Sequence, residues 1–325
     1  MSYDRKTAEN KIITACQRLI EAGLIARTWG NVSARLSHNS FLITPSGKGY
    51  ENMKGNDLVE VSINELATLS SGTPSSEKGI HAITYSLREN VDFIIHTHQS
   101  LASSISILPD SYNNTIPCAN YGLNASQELI DNISKVVQDN PASKGFLMSN
   151  HGAFCLGKTD EEAFIVSKEL EEQSRALYDS LATTHPDFSL NADSFIKPIS
   201  SAEGLYLLES PFALAISKED YEVFPYLDDF AQFAGLSMKI VDSLSEITLP
   251  QTDYTGLPLR ECAILRNKGI VCHASTDDIN ALSIVVEKQC QAAYLAHILG
   301  DINPISPENV MTDRKNFVLS YSKLK

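Results

Sequence analysis

The strongest chemical signal in this chain is Val91–Ser100, VDFIIHTHQS, where the apolar run Phe93-Ile94-Ile95 leads straight into His96-Thr97-His98. On a β-strand, residues i and i+2 face the same way, so both imidazoles project together. That is half of a tetrahedral metal site. The same pair also reads as a plain polar strand end with solvated or hydrogen-bonded histidines. His151 is the natural third ligand, held on an Asn150-His151-Gly152 turn between two short apolar strands, where Gly152 lets the backbone approach closely. Alone before a glycine it has a structural reading as well. Together the three histidines leave one position open for water or substrate, as a catalytic zinc requires.

Glu77 sits at the start of a helix. An acid there serves either as a cap favoured by the helix dipole or as a general base tuned by burial and a nearby cation. Ser75 and Ser76 bring hydroxyls and backbone N–H groups to that helix start, which suits an anion. Ser46-Gly47 and Gly30-Asn31 are two more small polar loops that could converge on it. Neither is a nucleotide loop of known type: Lys48 is followed by Gly49 rather than Ser or Thr, and no GxGxxG occurs.

Several elements must position these residues. Helical spacing covers 4–26, with Ala8, Ile12, Ala15, Cys16 and Leu19 on one face. Strands are expected at 32–36, 41–44, 58–62 and 66–69, with His38-Asn39-Ser40 as a hairpin turn. A helix capped by Ser75 or Ser76 runs to about residue 90, followed by the histidine strand at 93–98 and a helix at 100–107. An amphipathic helix follows at 126–138. Short strands at 145–150 and 153–156 flank His151-Gly152, and a long helix with an acidic first turn covers 159–181.

From 184 to 203 the composition shifts to that of a linker. Beyond it, 262–299 echoes 145–181: strand, Asn-x-Gly turn, strand, Thr-Asp, then a long helix with a central Glu. In this overlay Lys268 stands where His151 stands, and Leu207 and Glu209 where His96 and His98 stand. The expected organisation is a domain at 1–183, a linker at 184–203, and a truncated degenerate repeat without the metal residues at 204–325.

The 325 residues, 43% hydrophobic and 20% charged, describe an ordinary globular protein. A net charge of −14 argues against nucleic-acid partners, because a phosphate backbone would be repelled. The basic residues Arg314, Lys315, Lys323 and Lys325 read as a solvated end. No run of 18 apolar residues is present, so no membrane span is expected. The start of the chain lacks a signal-peptide pattern. The six scattered cysteines read as reduced thiols, and a cytoplasmic location is expected.

The order of the motifs resembles a known family. Gly30-Asn31-Val32-Ser33, Thr44-Pro45-Ser46-Gly47, Pro74-Ser75-Ser76-Glu77 with His81, His96-Thr97-His98 and His151-Gly152 follow one another as in the class II (zinc-dependent) aldolase/adducin family. The likeness is greatest to the branch of L-fuculose-1-phosphate aldolase and L-ribulose-5-phosphate 4-epimerase, and it covers roughly 7–181. It implies an α/β fold, a three-layer α/β/α sandwich with a mostly antiparallel central sheet. It implies one Zn2+ per chain, on His96, His98 and His151, with Glu77 capping the metal and then acting as acid/base. Thr28, Asn31, Ser46, Gly47, Ser75 and Ser76 resemble the substrate-phosphate pocket. Tyr121 resembles the tyrosine that reaches a neighbouring subunit's active site; its plainer reading is a packed interface aromatic. The implied activity is cleavage or formation of a C–C bond in a small phosphorylated ketose through an enediolate. The alternatives are a non-enzymatic adducin-like interaction protein, or an epimerase, decarboxylase or dehydratase on the same site. A homo-oligomer is implied, either a tetramer or a dimer whose degenerate halves mimic one.

Overall fold

Asp4 opens the first helix by accepting the backbone N–H of Thr7 at 3.0 Å, a side-chain N-cap. The computed structural model describes residues 2–25, 29–182, 195–200, 204–247 and 262–320. Helix α1 (Arg5–Glu21) buries Ala8, Ile12, Ala15, Cys16 and Leu19, one stripe at helical spacing. It stops earlier than its periodicity suggests, just ahead of Gly23, whose φ of +68° belongs to the left-handed region that ends helices.

The next elements are β1 (Asn31–Arg35), β2 (Ser40–Ile43), β3 (Val59–Ser62), α2 (Lys78–Leu87), β4 (Phe93–Thr97), α3 (Ser100–Ile105), β5 (Cys118–Ala119), α4 (Gln127–Asp139), β6 (Gly145–Met148), β7 (Gly152–Gly157) and α5 (Asp160–Ala182). Their sheet runs β3-β2-β1-β4-β7-β6-β5. Every pairing is antiparallel except β5 with β6. One face carries α2 and α4, with Ile80, Tyr85, Leu129 and Ile133 packed on Phe41, Ile94, Phe146 and Phe154. Ser33 points to α2 on that face, so its neighbours Val32 and Ala34 point the other way. There α1 packs on β1 and β2. Helix α1 meets α5 through Lys11 and Asp160 at 3.0 Å and through Arg18, which lies 3.9 Å above the Phe164 ring. This is the expected three-layer α/β/α sandwich.

Two local expectations fail. Residues 66–69 are not a strand: Leu66 takes φ +55°, which breaks the extended run, and only a bridge from Thr68 to Val61 remains. The second helix is not capped by Ser75 or Ser76. Glu77 occupies the N-cap position, without a side-chain capping bond, and the helix begins at Lys78.

The chain divides into two compact units inside α5, one ending at Arg175 and the other running Ala176–Ser320. Beyond α5 lie β8 (Phe195–Ser200), β9 (Leu205–Glu209), α6 (Pro211–Ser217), α7 (Asp228–Phe233), β10 (Lys239–Val241), β11 (Cys262–Leu265), β12 (Gly269–His273), α8 (Ile279–Leu299) and α9 (Pro307–Ser320). The stretch 184–203 is therefore not all linker. Residues 195–200 form β8, paired with β9, while 184–194 and 201–203 lie outside the described residues.

The sheet of the second unit runs β10-β11-β12-β9-β8. Strand for strand this repeats the order and directions of β5-β6-β7-β4-β1, down to one parallel pair at the β10 end. The registers align as well. His96 pairs with Phe154, two residues after Gly152, and Leu207 pairs with Val271, two residues after Gly269. Asn150 and Asn267 both turn left-handed, at φ +61° and +59°. A Cβ on Gly152 would meet the Thr97 carbonyl at 2.2 Å, and one on Gly269 the Leu208 carbonyl at 2.3 Å. Leu207, Glu209 and Lys268 thus occupy the positions that His96, His98 and His151 occupy in the first sheet. Strand β8 takes the place of β1, and no described strand follows it outward.

Arg314 is not part of a solvated end. It is 2% exposed, and its Nη1 donates to the carbonyls of Gln232 at 2.6 Å and Phe233 at 3.2 Å, which close the last turn of α7. Lys323 and Lys325 lie outside the described residues. The six cysteines are all free thiols, and no described helix is long and apolar enough to cross a membrane. Replacing Arg314 by Met should lower unfolding stability by about 2–3 kcal/mol, the worth of charge-assisted hydrogen bonds. A change within about 0.5 kcal/mol in urea melts, the usual cost at a solvated surface position, would overturn the buried assignment.

Candidate active site

His96 is the last buried apolar-strand position of β4 that faces α2, and Thr97 between the histidines faces the opposite layer. The Thr97 hydroxyl bonds the Gln99 side chain at 2.7 Å, and Gln99 donates to the Ser167 carbonyl on α5 at 2.9 Å. The strand alternation therefore places His96 and His98 on one side. His96 Nδ1 lies 2.9 Å from the Ala153 carbonyl. It donates there, which leaves the Nε2 lone pair pointing inward. His96 Nε2 lies 3.1 Å from His98 Nε2 and 3.0 Å from His151 Nε2.

Three imidazole donor atoms converge on one point, all within 4.8 Å of one another. Around a tetrahedral zinc with Zn–N near 2.05 Å, donors stand about 3.3 Å apart. Neutral imidazoles meeting lone pair to lone pair repel, and a cation between them removes the repulsion. A second observation points the same way. Glu77 Oε1 is buried and accepts no hydrogen bond among the described residues, and it faces His151 Nε2 at 3.0 Å. Glu77 Oε2 lies 3.4 Å from His96 Nε2. The donor set of three imidazoles and a carboxylate fits a divalent metal such as zinc.

The electrostatics follow from burial. Burial holds His96 well below its ordinary value, with His98 and His151 adding to the effect and Glu77 opposing it. Burial works to raise Glu77, but the pull of His96, His151 and His98 outweighs it and keeps the carboxyl ionised far below the usual range. His81, one helical turn beyond Glu77 and fully buried, is pushed down to about 3 by burial, against the pull of Glu77.

Glu77 is tied down from behind. Asn31 Nδ2 donates to Glu77 Oε2 at 2.6 Å, and Asn31 Oδ1 bonds His81 Nε2. His81 Nδ1 meets Ser33 Oγ at 2.7 Å, and Ser33 Oγ meets Tyr85 OH at 2.8 Å. Ser33 and Tyr85 did not stand out from sequence, and His81 did so only as part of a motif. The signals were there: Asn31 and Ser33 share a strand face at spacing two, and Glu77, His81 and Tyr85 share a helix face at spacing four.

The expected anion loops meet each other. Ser46 follows β2 and Ser75 precedes α2, and a bridge between Pro45 and Pro74 joins the two segments. Ser46 N–H donates to Thr73 O at 3.0 Å and Ser75 N–H to Thr44 O at 3.1 Å. Ser75 Oγ accepts the Glu77 N–H at 3.3 Å, so this loop abuts the carboxylate. Ser46 and Gly47 line an open cleft of about 580 Å³ with Lys48, Asp57 and Thr73. Lys48 pairs with Asp57 at 2.5 Å. Ser76 lies half-buried beside Ser75. Asn31, grouped with these residues by sequence, has both ends of its amide engaged by Glu77 and His81 instead. Thr28 lies outside the described residues. Tyr121 follows the edge strand β5, three strand spacings or about 14 Å from β4, and its carbonyl accepts Asn132 Nδ2 at 2.9 Å. Within one chain it is not part of the histidine cluster.

Comparison with known proteins places the chain in a family. A family model described as the class II aldolase and adducin N-terminal domain matches residues 10–178. The chain belongs to the class II aldolase and adducin family. This class II aldolase is 34% identical over 178 residues to the 5-methylthioribulose-1-phosphate/5-deoxyribulose-1-phosphate aldolase of Escherichia coli O45:K1, which covers 51% of this chain and 80% of that protein. It is 28% identical over 197 residues to the L-fuculose phosphate aldolase of Escherichia coli K12, covering 56% and 88%. A solved L-fuculose 1-phosphate aldolase aligns at TM-score 0.49 and 27% identity, over 57% of this chain and 91% of that one. The chain is an enzyme of the aldolase type, a lyase.

His81 carries a pH signature. Its folded value lies below the ordinary histidine value of 6.5. The unfolded chain therefore binds the extra proton first, and stability is lost as pH falls below about 6.5. Between pH 7 and 5 wild type should lose about 1–2 kcal/mol more than His81→Gln in urea melts. Equal losses would contradict a neutral buried His81.

Proposed function

We propose that this protein is a zinc-dependent aldolase that cleaves or forms a C–C bond in a small phosphorylated ketose. The observation that carries the reading is the convergence of His96, His98 and His151 Nε2 with the buried Glu77 Oε1. Those four atoms would hold the metal, and a bound Zn2+ supplies Lewis-acid polarisation of a carbonyl oxygen. The chain supplies the rest. The paired loops at Ser46-Gly47 and Ser75-Ser76 hold the substrate phosphate through backbone and hydroxyl donors, next to the start of α2. Anchoring the phosphate there fixes the reacting carbons relative to Glu77, so positioning contributes a large share of the acceleration. Glu77 would take up the proton that the hydroxyl next to the breaking C–C bond loses as it becomes the aldehyde carbonyl, deliver it to the carbon left behind, and remove it from that carbon in the reverse direction. The names of the two relatives supply the first substrates to test, L-fuculose 1-phosphate and 5-methylthioribulose 1-phosphate.

The second unit reads as a degenerate copy that keeps the sheet and has lost the metal. Leu207, Glu209 and Lys268 offer no imidazole where the first sheet has three. One zinc per chain, bound in the first unit, follows. Two such chains would mimic a four-unit assembly, and in that assembly Tyr121 would serve a neighbouring site from its sheet edge.

Replacing His96 by Ala should remove zinc and retro-aldol activity together. Full zinc occupancy in that variant, measured by atomic absorption, would sink the ligand assignment. Glu77→Gln should lower kcat by about 10²–10⁴-fold, the usual range for a lost acid/base group, and should abolish tritium exchange into the ketone product. Lys268→Ala should leave one zinc per chain. Light scattering that gives a strict monomer would rule out the dimer of paired units.

A further inference from the structure

Behind Glu77 runs a hydrogen-bond chain in which the donor of every link can be assigned. Asn31 Nδ2 and Glu77 Oε2 are 2.6 Å apart. A carboxylate only accepts, and turning the amide over would press Oδ1 against a charged oxygen at that distance, so the nitrogen faces Glu77. Asn31 Oδ1 must then face His81 Nε2, which donates to it. His81 is 0% exposed and in contact with the rings of Phe41 and Phe154; burial keeps it neutral, with one ring proton. That proton is on Nε2, so Nδ1 accepts, and the donor 2.7 Å away is the Ser33 hydroxyl. With its own proton spent, Ser33 Oγ accepts from Tyr85 OH at 2.8 Å. The direction is Tyr85 to Ser33 to His81 to Asn31 to Glu77, with one donor and one acceptor at each link.

We propose that His81 and Asn31 are positioning residues for Glu77, which they clamp through Oε2 so that Oε1 is turned to His151. The chain bonds only one of the two oxygens. It takes the place of solvent, which would let the carboxylate turn, and it holds Oε1, which has no hydrogen-bond donor among the described residues, 3.0 Å from His151 Nε2. Two secondary-structure elements share the task, since Asn31 and Ser33 come from β1 and His81 and Tyr85 from α2. The spacing of α2 against β1 thereby sets the carboxylate angle. The kinetic part of this inference rests on the aldolase reading; the assignment of protons does not.

Two measurements test it. In the zinc-loaded wild-type protein, long-range 1H–15N correlation spectra should show His81 as the neutral Nε2–H tautomer. An Nδ1–H tautomer, or rapid exchange between the two, overturns the chain whether or not the protein is an aldolase. In steady-state assays on whichever of the two ketose 1-phosphates the wild type cleaves, His81→Leu should lower kcat about 10–100-fold, the usual effect of losing an outer partner. KM should stay within about twofold and zinc content at one per chain. His81→Gln, which keeps a side-chain N–H donor, should recover most of that loss. Wild-type kcat in His81→Leu, or equal losses in the Leu and Gln variants, would reduce His81 to a packing residue.

Discussion

The structure depends on keeping one carboxylate ionised in the dark interior of a sheet. Glu77 is 6% exposed, and an unpaired buried carboxylate costs several kcal/mol. Two features of the chain bear on it: the imidazole cluster it faces and the Asn31 N–H on its other oxygen. The side chains involved come from several elements. Strand β4 delivers His96, and His98 follows directly on the end of that strand. The turn into β7 delivers His151, β1 delivers Asn31, and the start of α2 delivers Glu77 itself.

The sheet order explains how these meet. β4 lies between β1 and β7, so the histidine strand has the asparagine on one side and the third histidine on the other. Asn31 pairs with His96 across one ladder, and His96 with Phe154 across the other. Gly152 must be a glycine because the Thr97 carbonyl lies where its Cβ would be. The second sheet keeps the same order and the same close glycine contact, with leucine, glutamate and lysine at the ligand positions. The architecture thus stands without the site. The three histidines are an addition to the fold and not a condition of it.

Much of the fold was legible because its signals are local. Apolar periodicity placed α4 and α5 to within one residue at each end and the start of α1, though it carried α1 past its stop at Glu21, and the His-x-His spacing declared its own face. The errors came where tertiary contacts decide. Residues 66–69 have strand composition, but the left-handed Leu66 turns them aside. Ser75 and Ser76 have capping side chains, but Glu77 takes the N-cap position while its carboxylate turns inward to the histidines. β8 falls in a stretch of linker composition and becomes a strand by pairing with β9. Arg314 sits in a basic tail by composition, yet its guanidinium closes the end of α7.

The sequence by itself determined which side chains could do chemistry here, and in which half of the chain: His96, His98, His151 and Glu77 carry the donor atoms, and the matching positions of the second sheet, Leu207, Glu209 and Lys268, carry no imidazole. It also pointed to the family, because five weak motifs in one order leave little room for coincidence. Only the tertiary structure decided how those atoms are used. At a helix start Glu77 could cap the helix or turn inward, and its carboxylate makes no capping bond and faces the histidines. Asn31 looks like a loop residue for anions, and its amide is instead committed to Glu77 and His81. Spacing along a chain fixes which face a side chain occupies, but a hydrogen bond is settled by what lies within 3 Å, and that is supplied by residues dozens of positions away.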